Sequence, residues 1–194
     1  MRRPCTVSFR GEIIMAHFDM LVIGTGPAGQ KAAIQAAKLG KAVGITERKE
    51  VVGGVCTNTG TIPSKSLREA VLYLSGFHQR SLYGTSYRVK QDVTMEDLIF
   101  RANYVIKREV EIIHNQMARN NVQLLTGTAS FLDPHQLSVH GAHEISEHTA
   151  DYIVIAAGTT PARPAHIPFD DSTIIDTDGL LALKQLPKSL TIIG

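Results

Sequence analysis

Residues 19–47, "DMLVIGTGPAGQKAAIQAAKLGKAVGITE", decide the fold of this chain. The stretch opens on a short apolar run, residues 19–23, which ends in a glycine-rich turn and is typical of a buried parallel strand. An alanine-rich segment closed by Gly40 follows and predicts a helix, and residues 41–47 predict a second strand. A strand, a glycine turn, a helix and a strand in this order form a β-α-β unit. We therefore expect an α/β fold, Rossmann-like, with a parallel sheet.

The glycine turn places Gly24, Gly26 and Gly29 in the spacing G-x-G-x-x-G. In this pattern the first glycine permits the tight turn, the second lets the backbone approach a pyrophosphate, and the third lets the helix pack on the strand. Glu47 ends the second strand, where a carboxylate can accept hydrogen bonds from ribose hydroxyls and would repel a 2′-phosphate. The pattern predicts a dinucleotide site without separating NAD from FAD. A glycine-rich turn beside a surface glutamate is the alternative.

A helical excursion is predicted after this unit. Pro63 stands where a helix can begin, and helical spacing of apolar residues continues to residue 77. The polar stretch 78–92 predicts a loop. "TMED" at 94–97 resembles a capping box and predicts a long helix over residues 95–119.

The rest of the chain predicts strands. Residues 121–151 contain short alternating runs separated by turn residues, which favour a strand and a β-hairpin or meander, and residues 152–156 predict a last buried strand. Residues 159–173 carry three prolines and predict a connector. The end of the chain, residues 186–194, predicts one more apolar strand that stops at its first glycine.

Composition limits the classes of function. The 194 residues are 43% apolar, enough for one substantial core, and a net charge of +2 with scattered basic residues does not indicate nucleic-acid binding. No apolar run approaches the roughly 20 residues of a membrane span. The two cysteines, Cys5 and Cys56, do not form a disulfide framework, so we expect a cytoplasmic location.

The first 16 residues are basic but lack a long apolar segment, so they do not predict a secretory signal. We expect an unstructured extension, or an upstream start with Met15 as the natural first residue. A transit peptide is the alternative.

The stretch "GGVCTNTGTIPSK", residues 53–65, resembles the flavin loop of the pyridine nucleotide–disulfide oxidoreductases, whose pattern is G-G-x-C-x-x-x-x-C-x-P-S-K. The two glycines, Cys56 and the final P-S-K match, and Thr61 departs. Further segments that resemble the family are 126–131, 154–161 and 175–194, so the resemblance spans about residues 17–194. It implies an FAD-binding domain with a parallel sheet, a β-meander and the long helical excursion.

The resemblance also implies the residues of the FAD site. They are Gly24, Gly26, Pro27, Gly29, Glu47, Arg48, Gly54, Cys56, Thr57, Lys65, Gly127, Ala129, Ala157 and Gly158. The glycine turn would bind the pyrophosphate, Glu47 the adenosine ribose, and the last four residues the adenosine side. Lys65 would lie near the flavin ring as the catalytic residue, because its positive charge stabilises electron density arriving on the ring.

Thr61 changes the expected chemistry. In the disulfide reductases of the family, paired cysteines pass electrons to substrate by thiol–disulfide exchange, and threonine has no such chemistry. One branch, the soluble FAD-containing transhydrogenases, also carries cysteine followed by threonine in the form G-G-x-C-T-x-x-G-T-I-P-S-K. The resemblance to it implies hydride transfer from NADPH through FAD to NAD. Cys56 is then a thiol kept for packing, with a reactive sulfenic acid as the alternative.

The resemblance predicts three segments: an extension over 1–16, an FAD-binding domain over 17–189 and the start of an NAD(P)-binding domain over 190–194. We expect the chain to bind FAD but not to turn over efficiently alone, and the full-length enzyme to be a homodimer. A dihydrolipoamide-dehydrogenase-like flavoprotein without the redox disulfide, and a non-catalytic flavin-binding module, are the alternatives. His140, His143 and His148 predict an exposed polar hairpin and no metal site.

Overall fold

A computed structural model of the protein describes residues 6–10 and 13–193, with side chains from Met15 onward. The described residues divide into two compact units. The first contains the described residues up to Cys56 together with Glu109–Thr159, and the second contains Thr57–Arg108 and the residues from Thr160 on. The expected organisation, with an FAD-binding domain over 17–189 between boundaries after residues 16 and 189, stays a prediction.

The first unit is built on a seven-stranded sheet. Its strands are β1 (Thr6–Arg10), β2 (Ile13–Ile23), β3 (Val43–Glu47), β4 (Gln123–Thr126), β5 (Thr128–Asp133), β6 (Gln136–His140) and β7 (Ile145–Ile155). The order is β4-β3-β2-β7-β6-β5, with β1 paired to β2. β2 pairs in parallel with β3 and β7, and β3 with β4, whereas β5, β6 and β7 form an antiparallel meander. The predicted α/β fold, parallel sheet and meander are confirmed.

Helix α1 (Pro27–Lys38) connects β2 to β3 and completes the predicted β-α-β unit. Its buried face is made mainly of alanines, of which Ala33 packs with Val22 and Ile45, all three fully buried. Ile113 and Met117, from the later turns of helix α5 (Met95–Arg119), belong to the same core. Each fully buried side chain of the size of valine or isoleucine contributes about 1.5–3 kcal/mol. This core holds α1 against the parallel strands and so positions the glycine turn.

Strand β7 pairs with two neighbouring strands, β2 and β6. Its first half pairs with β6 up to Thr149, and nearly its whole length pairs with β2. The sequence predicts a last buried strand over 152–156, but Tyr152 and Ile155 are each 68% exposed. A strand is present there, but the expected burial is wrong: β6 begins opposite Thr149, so among the described strands only β2 flanks the later half of β7.

The described part of the expected extension forms strands. β1 pairs antiparallel with the start of β2, in a register from Thr6 opposite His17 to Arg10 opposite Ile13. β2 continues without a break through the expected boundary at residue 16. Residues 6–10 and 13–16 are therefore not unstructured, which agrees with the preference of their β-branched residues for strands. Residues 1–5, including Cys5, lie outside the described residues.

The second unit is mainly helical. The second unit begins within helix α2 (Gly54–Asn58). Its other helices are α3 (Thr61–Leu74), α4 (Arg80–Tyr83), the first part of α5 and α6 (Thr177–Leu180), and a 3-10 turn spans Phe77–Gln79. α3 begins at Thr61, two residues before its predicted start at Pro63. The segment 78–92, which is predicted to be a loop, contains most of the 3-10 turn and all of α4. The core of this unit packs Ala70 of α3 against Met95 and Leu98 of α5.

Helix α5 has the predicted limits because its capping box forms. The Asp97 backbone N–H donates to Thr94 Oγ1 at 3.3 Å, and the Thr94 backbone N–H donates to Asp97 Oδ2 at 2.8 Å. Lys90 Nζ also donates to this carboxylate, at 2.6 Å and 2.7 Å to its two oxygens. The bond from Lys90, followed by those from Thr94, lowers the pKa of Asp97 to about 2. The cap therefore persists well into acid.

The expected strand over residues 186–194 does not form within the described residues. Residues 190–193 have no regular structure, and Ile192 and Ile193 are 86% and 94% exposed. A strand requires a neighbour to satisfy its backbone groups, and no described strand pairs with this segment.

Among the described residues, no helix combines the length and apolar character of a membrane span.

His148 is the titratable residue most deeply placed in the meander. It lies on β7, is 2% exposed, and contacts Phe18 edge-on with ring centroids 5.7 Å apart. Its Nε2 lies 2.9 Å from Ser146 Oγ. Burial lowers the pKa of His148, and the smaller effect of the Ala16 backbone on the ring raises it. The expectation that this histidine is exposed on a hairpin is wrong, because alternation along β7 turns it into the core.

We expect the chain to lose stability as the pH falls below about 6.5, the usual pKa of histidine. Because the pKa of His148 is lowered in the folded chain, the unfolded chain binds a proton that the folded chain does not. The free energy of unfolding then falls by at most about 1.4 kcal/mol per pH unit. Urea titrations at pH 7.5 and pH 5.5 measure the change. His148→Leu should flatten the dependence and the exposed-site variant His140→Gln should not; an equal dependence in all three would contradict this.

Candidate functional site

Several of the predicted site residues of the first unit lie at one edge of the sheet. The glycine turn follows β2, Glu47 ends β3, Gly127 follows β4, and Ala157 and Gly158 follow β7. These are the carboxyl ends of the four parallel strands, which is where α/β sheets bind ligands.

Backbone hydrogen bonds hold this edge together. The Gly24 N–H donates to the Thr46 carbonyl at 3.0 Å, and the Gly127 N–H donates to the Glu47 carbonyl at 2.8 Å. The Ala156 N–H donates to the Ile23 carbonyl at 2.8 Å. The loops that follow the four strands are thus fixed to one another before any ligand binds.

Gly24 and Gly29 are required by the backbone itself. Gly24 has φ of +102°, and a Cβ there would lie 2.3 Å from the Ala156 carbonyl oxygen. A Cβ at Gly29 would lie 1.9 Å from the Gly24 carbonyl oxygen. Both distances are far below any real carbon–oxygen contact, so these two glycines allow the turn and the close packing of α1 on β2.

Gly26 has a different role, because it borders open space. A Cβ at Gly26 would meet no atom within 4 Å, whereas a Cβ at Gly54 would lie 3.0 Å from the Gly26 Cα. Gly26 is also the N-cap of α1, whose first N–H groups have no partners within the helix. Two bare glycines beside a helix N-terminus form a cradle that side chains would fill. Its shape and polarity fit a pyrophosphate.

Glu47 is buried and already held by the protein. It is 8% exposed, so it is not the surface glutamate of the alternative interpretation. Glu47 Oε2 accepts hydrogen bonds from the Thr25 hydroxyl and from the Thr25 backbone N–H at 3.3 Å, and Oε1 accepts from the Lys49 N–H at 3.0 Å. The carboxylate is therefore fixed at the end of β3, at the edge where the glycine turn lies.

Sequence reasoning missed Thr25 and Gln30. Thr25 occupies the first variable position of the glycine motif and has no exposed surface. Its hydroxyl accepts a hydrogen bond from the Gly53 N–H at 3.0 Å, and the Gln30 amide donates to its carbonyl at 2.7 Å. A hydroxyl residue between two motif glycines was the only signal in the sequence, and a spacing pattern gives no weight to a variable position.

The other predicted site residues lie in varied surroundings. Pro27 and Arg48 are exposed next to the turn and Glu47. Ala129 lies on β5, where it packs against the core cluster that contains Phe18 and Leu137. Thr57, which is buried, and Lys65, which is exposed on α3, belong to the second unit. The cofactor contacts assigned to these residues stay predictions.

Cys56 is a free, half-buried thiol on α2. The position of the second cysteine in the family pattern is taken by Thr61, at the start of α3. Within residues 6–10 and 13–193 no group of three or more histidine, cysteine, aspartate or glutamate residues could hold a metal ion.

Comparisons with known proteins agree with this geometry. The model of the pyridine nucleotide-disulphide oxidoreductase family matches residues 18–194. The soluble pyridine nucleotide transhydrogenase of Mycobacterium bovis (strain BCG / Pasteur 1173P2) is 54% identical over 182 residues, which are 93% of this chain. The protein of the same name from Colwellia psychrerythraea is 40% identical over 91% of this chain.

A solved structure is also similar. The Cu(II) complex of the HOCl-induced flavoprotein disulfide reductase RclA from Escherichia coli superposes with a TM-score of 0.71 and 28% identity, over 88% of this chain. The chain spans only part of each of these proteins: 39% of the Mycobacterium relative, 38% of the Colwellia relative and 35% of RclA.

Proposed function

The chain belongs to the pyridine nucleotide-disulphide oxidoreductase family, and on that premise we propose that it is the FAD-binding portion of a soluble transhydrogenase. The full-length enzyme would move hydride between NADPH and NAD. The names of relatives at 54% and 40% identity support this assignment, as does the sequence "GTIPSK" at residues 60–65.

The observation that carries the proposal is the contact between the two motifs. The flavin-loop stretch begins at Gly53, whose N–H donates to Thr25, and Gly54 lies against Gly26 of the dinucleotide turn. A site for NAD alone needs the glycine turn and the acid, but no second motif against them. The family and its flavoprotein neighbours imply the use of FAD and a pyridine nucleotide, which agrees with this arrangement.

The chain's own residues would bind and orient the cofactor. The Gly26 backbone and the first N–H groups of α1 would hold the pyrophosphate, and Glu47 would accept from the adenosine ribose. FAD, when bound, supplies the chemistry of accepting a hydride from one nicotinamide and giving it to another. Lys65 would stabilise negative charge on the ring, a role supported by its place in the sequence motif.

Thr61 favours a transhydrogenase over a disulfide reductase. A dithiol relay needs two thiols, and this motif contains only Cys56. A dihydrolipoamide-dehydrogenase-like flavoprotein that lacks the disulfide has no observation in its favour beyond the family itself. Homodimerisation of the full-length enzyme and a cytoplasmic location are part of the proposal. The scarcity of cysteines supports that location.

We expect this chain to retain FAD in preference to NAD. The apo chain is incubated with excess FAD or NAD, passed through a desalting column, and the bound cofactor is measured by absorbance after denaturation. A chain that retains NAD and no flavin would contradict the proposed cofactor.

The activity is tested on the full-length protein that carries this chain. We expect hydride transfer from NADPH to an NAD analogue and no reduction of lipoamide by NADH. Reduction of lipoamide without transfer between nicotinamides would replace the transhydrogenase by the dehydrogenase-like alternative.

A further inference from the structure

We propose that Thr25 is a positioning residue for the adenosine ribose of FAD, acting through the Glu47 carboxylate. This inference rests on the proposed function, because it assigns Thr25 a role toward the FAD that the glycine turn and Glu47 would bind. The residue follows the first motif glycine directly and lies at the centre of four hydrogen bonds within the first unit.

The first step of the argument is that the Thr25 hydroxyl acts as donor and acceptor at the same time. It donates its proton to Glu47 Oε2 and accepts the Gly53 N–H at 3.0 Å. Only a hydroxyl side chain of this size can do both, since an aliphatic side chain does neither. The hydroxyl thus joins the end of β3 to the start of the flavin-loop stretch.

The second step is that Thr25 cannot move to make these bonds with water instead. The residue has no exposed surface, and its carbonyl is held by the Gln30 amide at 2.7 Å. Gln30 is itself buried, on the first turn of α1. A polar group in such a place is costly to leave without its partner, so the arrangement is strongly preferred over alternatives.

The third step concerns the lone pairs of Glu47. A carboxylate offers about four acceptor sites. Thr25 supplies two donors to Oε2, and the Lys49 N–H supplies one to Oε1. The remaining acceptor capacity is on Oε1, so Thr25 determines which oxygen is left for a ribose hydroxyl. A carboxylate oriented before binding loses less conformational freedom when the ligand arrives, which raises affinity.

The test compares hydroxyl-keeping and hydroxyl-removing variants of this chain by the dissociation constant for FAD, measured from flavin fluorescence. Thr25→Val should weaken binding by about ten- to a hundredfold, because a misplaced Glu47 would lose its hydrogen bond to the ribose and a hydrogen bond to a charged group is in that range. Thr25→Ser keeps the hydroxyl and should remain within about threefold of wild type. Ser138→Ala, which removes a buried hydroxyl on β6 bonded to His140, is the matched control and should leave affinity unchanged.

A double-mutant cycle separates positioning from a general packing effect. If Thr25 acts through Glu47, Thr25→Val should cost no more than about threefold when added to Glu47→Gln, because the group it positions has already lost its charge. Additive losses would overturn the inference. So would a loss of about tenfold or more in Thr25→Ser relative to wild type, a comparison that needs no folded valine variant. A wild-type chain that binds no FAD would instead overturn the proposed function itself.

Discussion

Replacing Gly29 with alanine is expected to destabilise the first unit severely. The new Cβ would lie 1.9 Å from the Gly24 carbonyl oxygen, and that oxygen belongs to the backbone of the turn. The clash can be relieved only by moving α1 away from β2, which opens the core around Val22 and Ala33. Overpacking in a well-packed core typically costs about 1–3 kcal/mol. We expect the upper end of this range or more, measured as a fall in the free energy of unfolding in urea.

Gly26→Ala is the matched control for Gly29→Ala. It adds the same methyl group to the same motif, but at a position with no atom within 4 Å of the new Cβ. The fold should keep its stability within about 0.5 kcal/mol, as for a substitution that meets no neighbour. FAD affinity should fall instead, because the methyl group occupies the space into which the pyrophosphate is proposed to fit. Equal stability losses in the two variants would show that the two glycines do not have separate roles.

The parts of the fold that the sequence predicts well depend on local signals. The limits of α5 match because the Thr94–Asp97 capping box forms and apolar spacing continues to Met117. The β-α-β unit follows from glycine spacing and a run of alanines, which are also local. In such segments neighbouring residues determine the conformation, and sequence patterns describe neighbours.

The parts that the sequence predicts poorly depend on pairing between distant segments. β1 and the first residues of β2 form strands because they pair with each other and, from Ile14 on, with β7. Residues 190–193 have strand-like composition, yet no described strand pairs with them. Strand formation is set by such partners more than by composition.

The candidate site shows the same difference between local signals and contacts between distant residues. Motif spacing identified Gly24, Gly26, Gly29 and Glu47, and the structure brings all four to one edge of the sheet. Motif spacing did not identify Thr25, because the importance of this residue comes from its hydrogen bonds to Gly53 and Glu47, which lie 28 and 22 residues away in the chain. A spacing pattern contains no information about which variable residue meets a distant partner.

Glu47→Ala is expected to weaken FAD binding and to destabilise the unliganded chain. The variant removes the proposed acceptor of a ribose hydroxyl, and a hydrogen bond to a charged group is worth about 1.5–3 kcal/mol. It also leaves the Thr25 hydroxyl and N–H without their acceptor in a place with no exposed surface. An unsatisfied buried group costs about 1–3 kcal/mol, so the free energy of unfolding should fall by that amount without any ligand. Fluorescence titration and urea unfolding measure the two effects separately.

Glu47→Gln distinguishes the two roles of this side chain, since glutamine fills the same volume and keeps one acceptor oxygen. That oxygen can still accept from Thr25, so stability should remain closer to wild type than in Glu47→Ala. Affinity for FAD should still fall, because the charge is lost and the amide nitrogen turns a donor toward Lys49 N–H or the ribose. If both variants bind FAD as tightly as wild type while losing stability, Glu47 would serve only to hold the turn. Its whole function would then be to accept the three hydrogen bonds that Thr25 and Lys49 donate to its carboxylate.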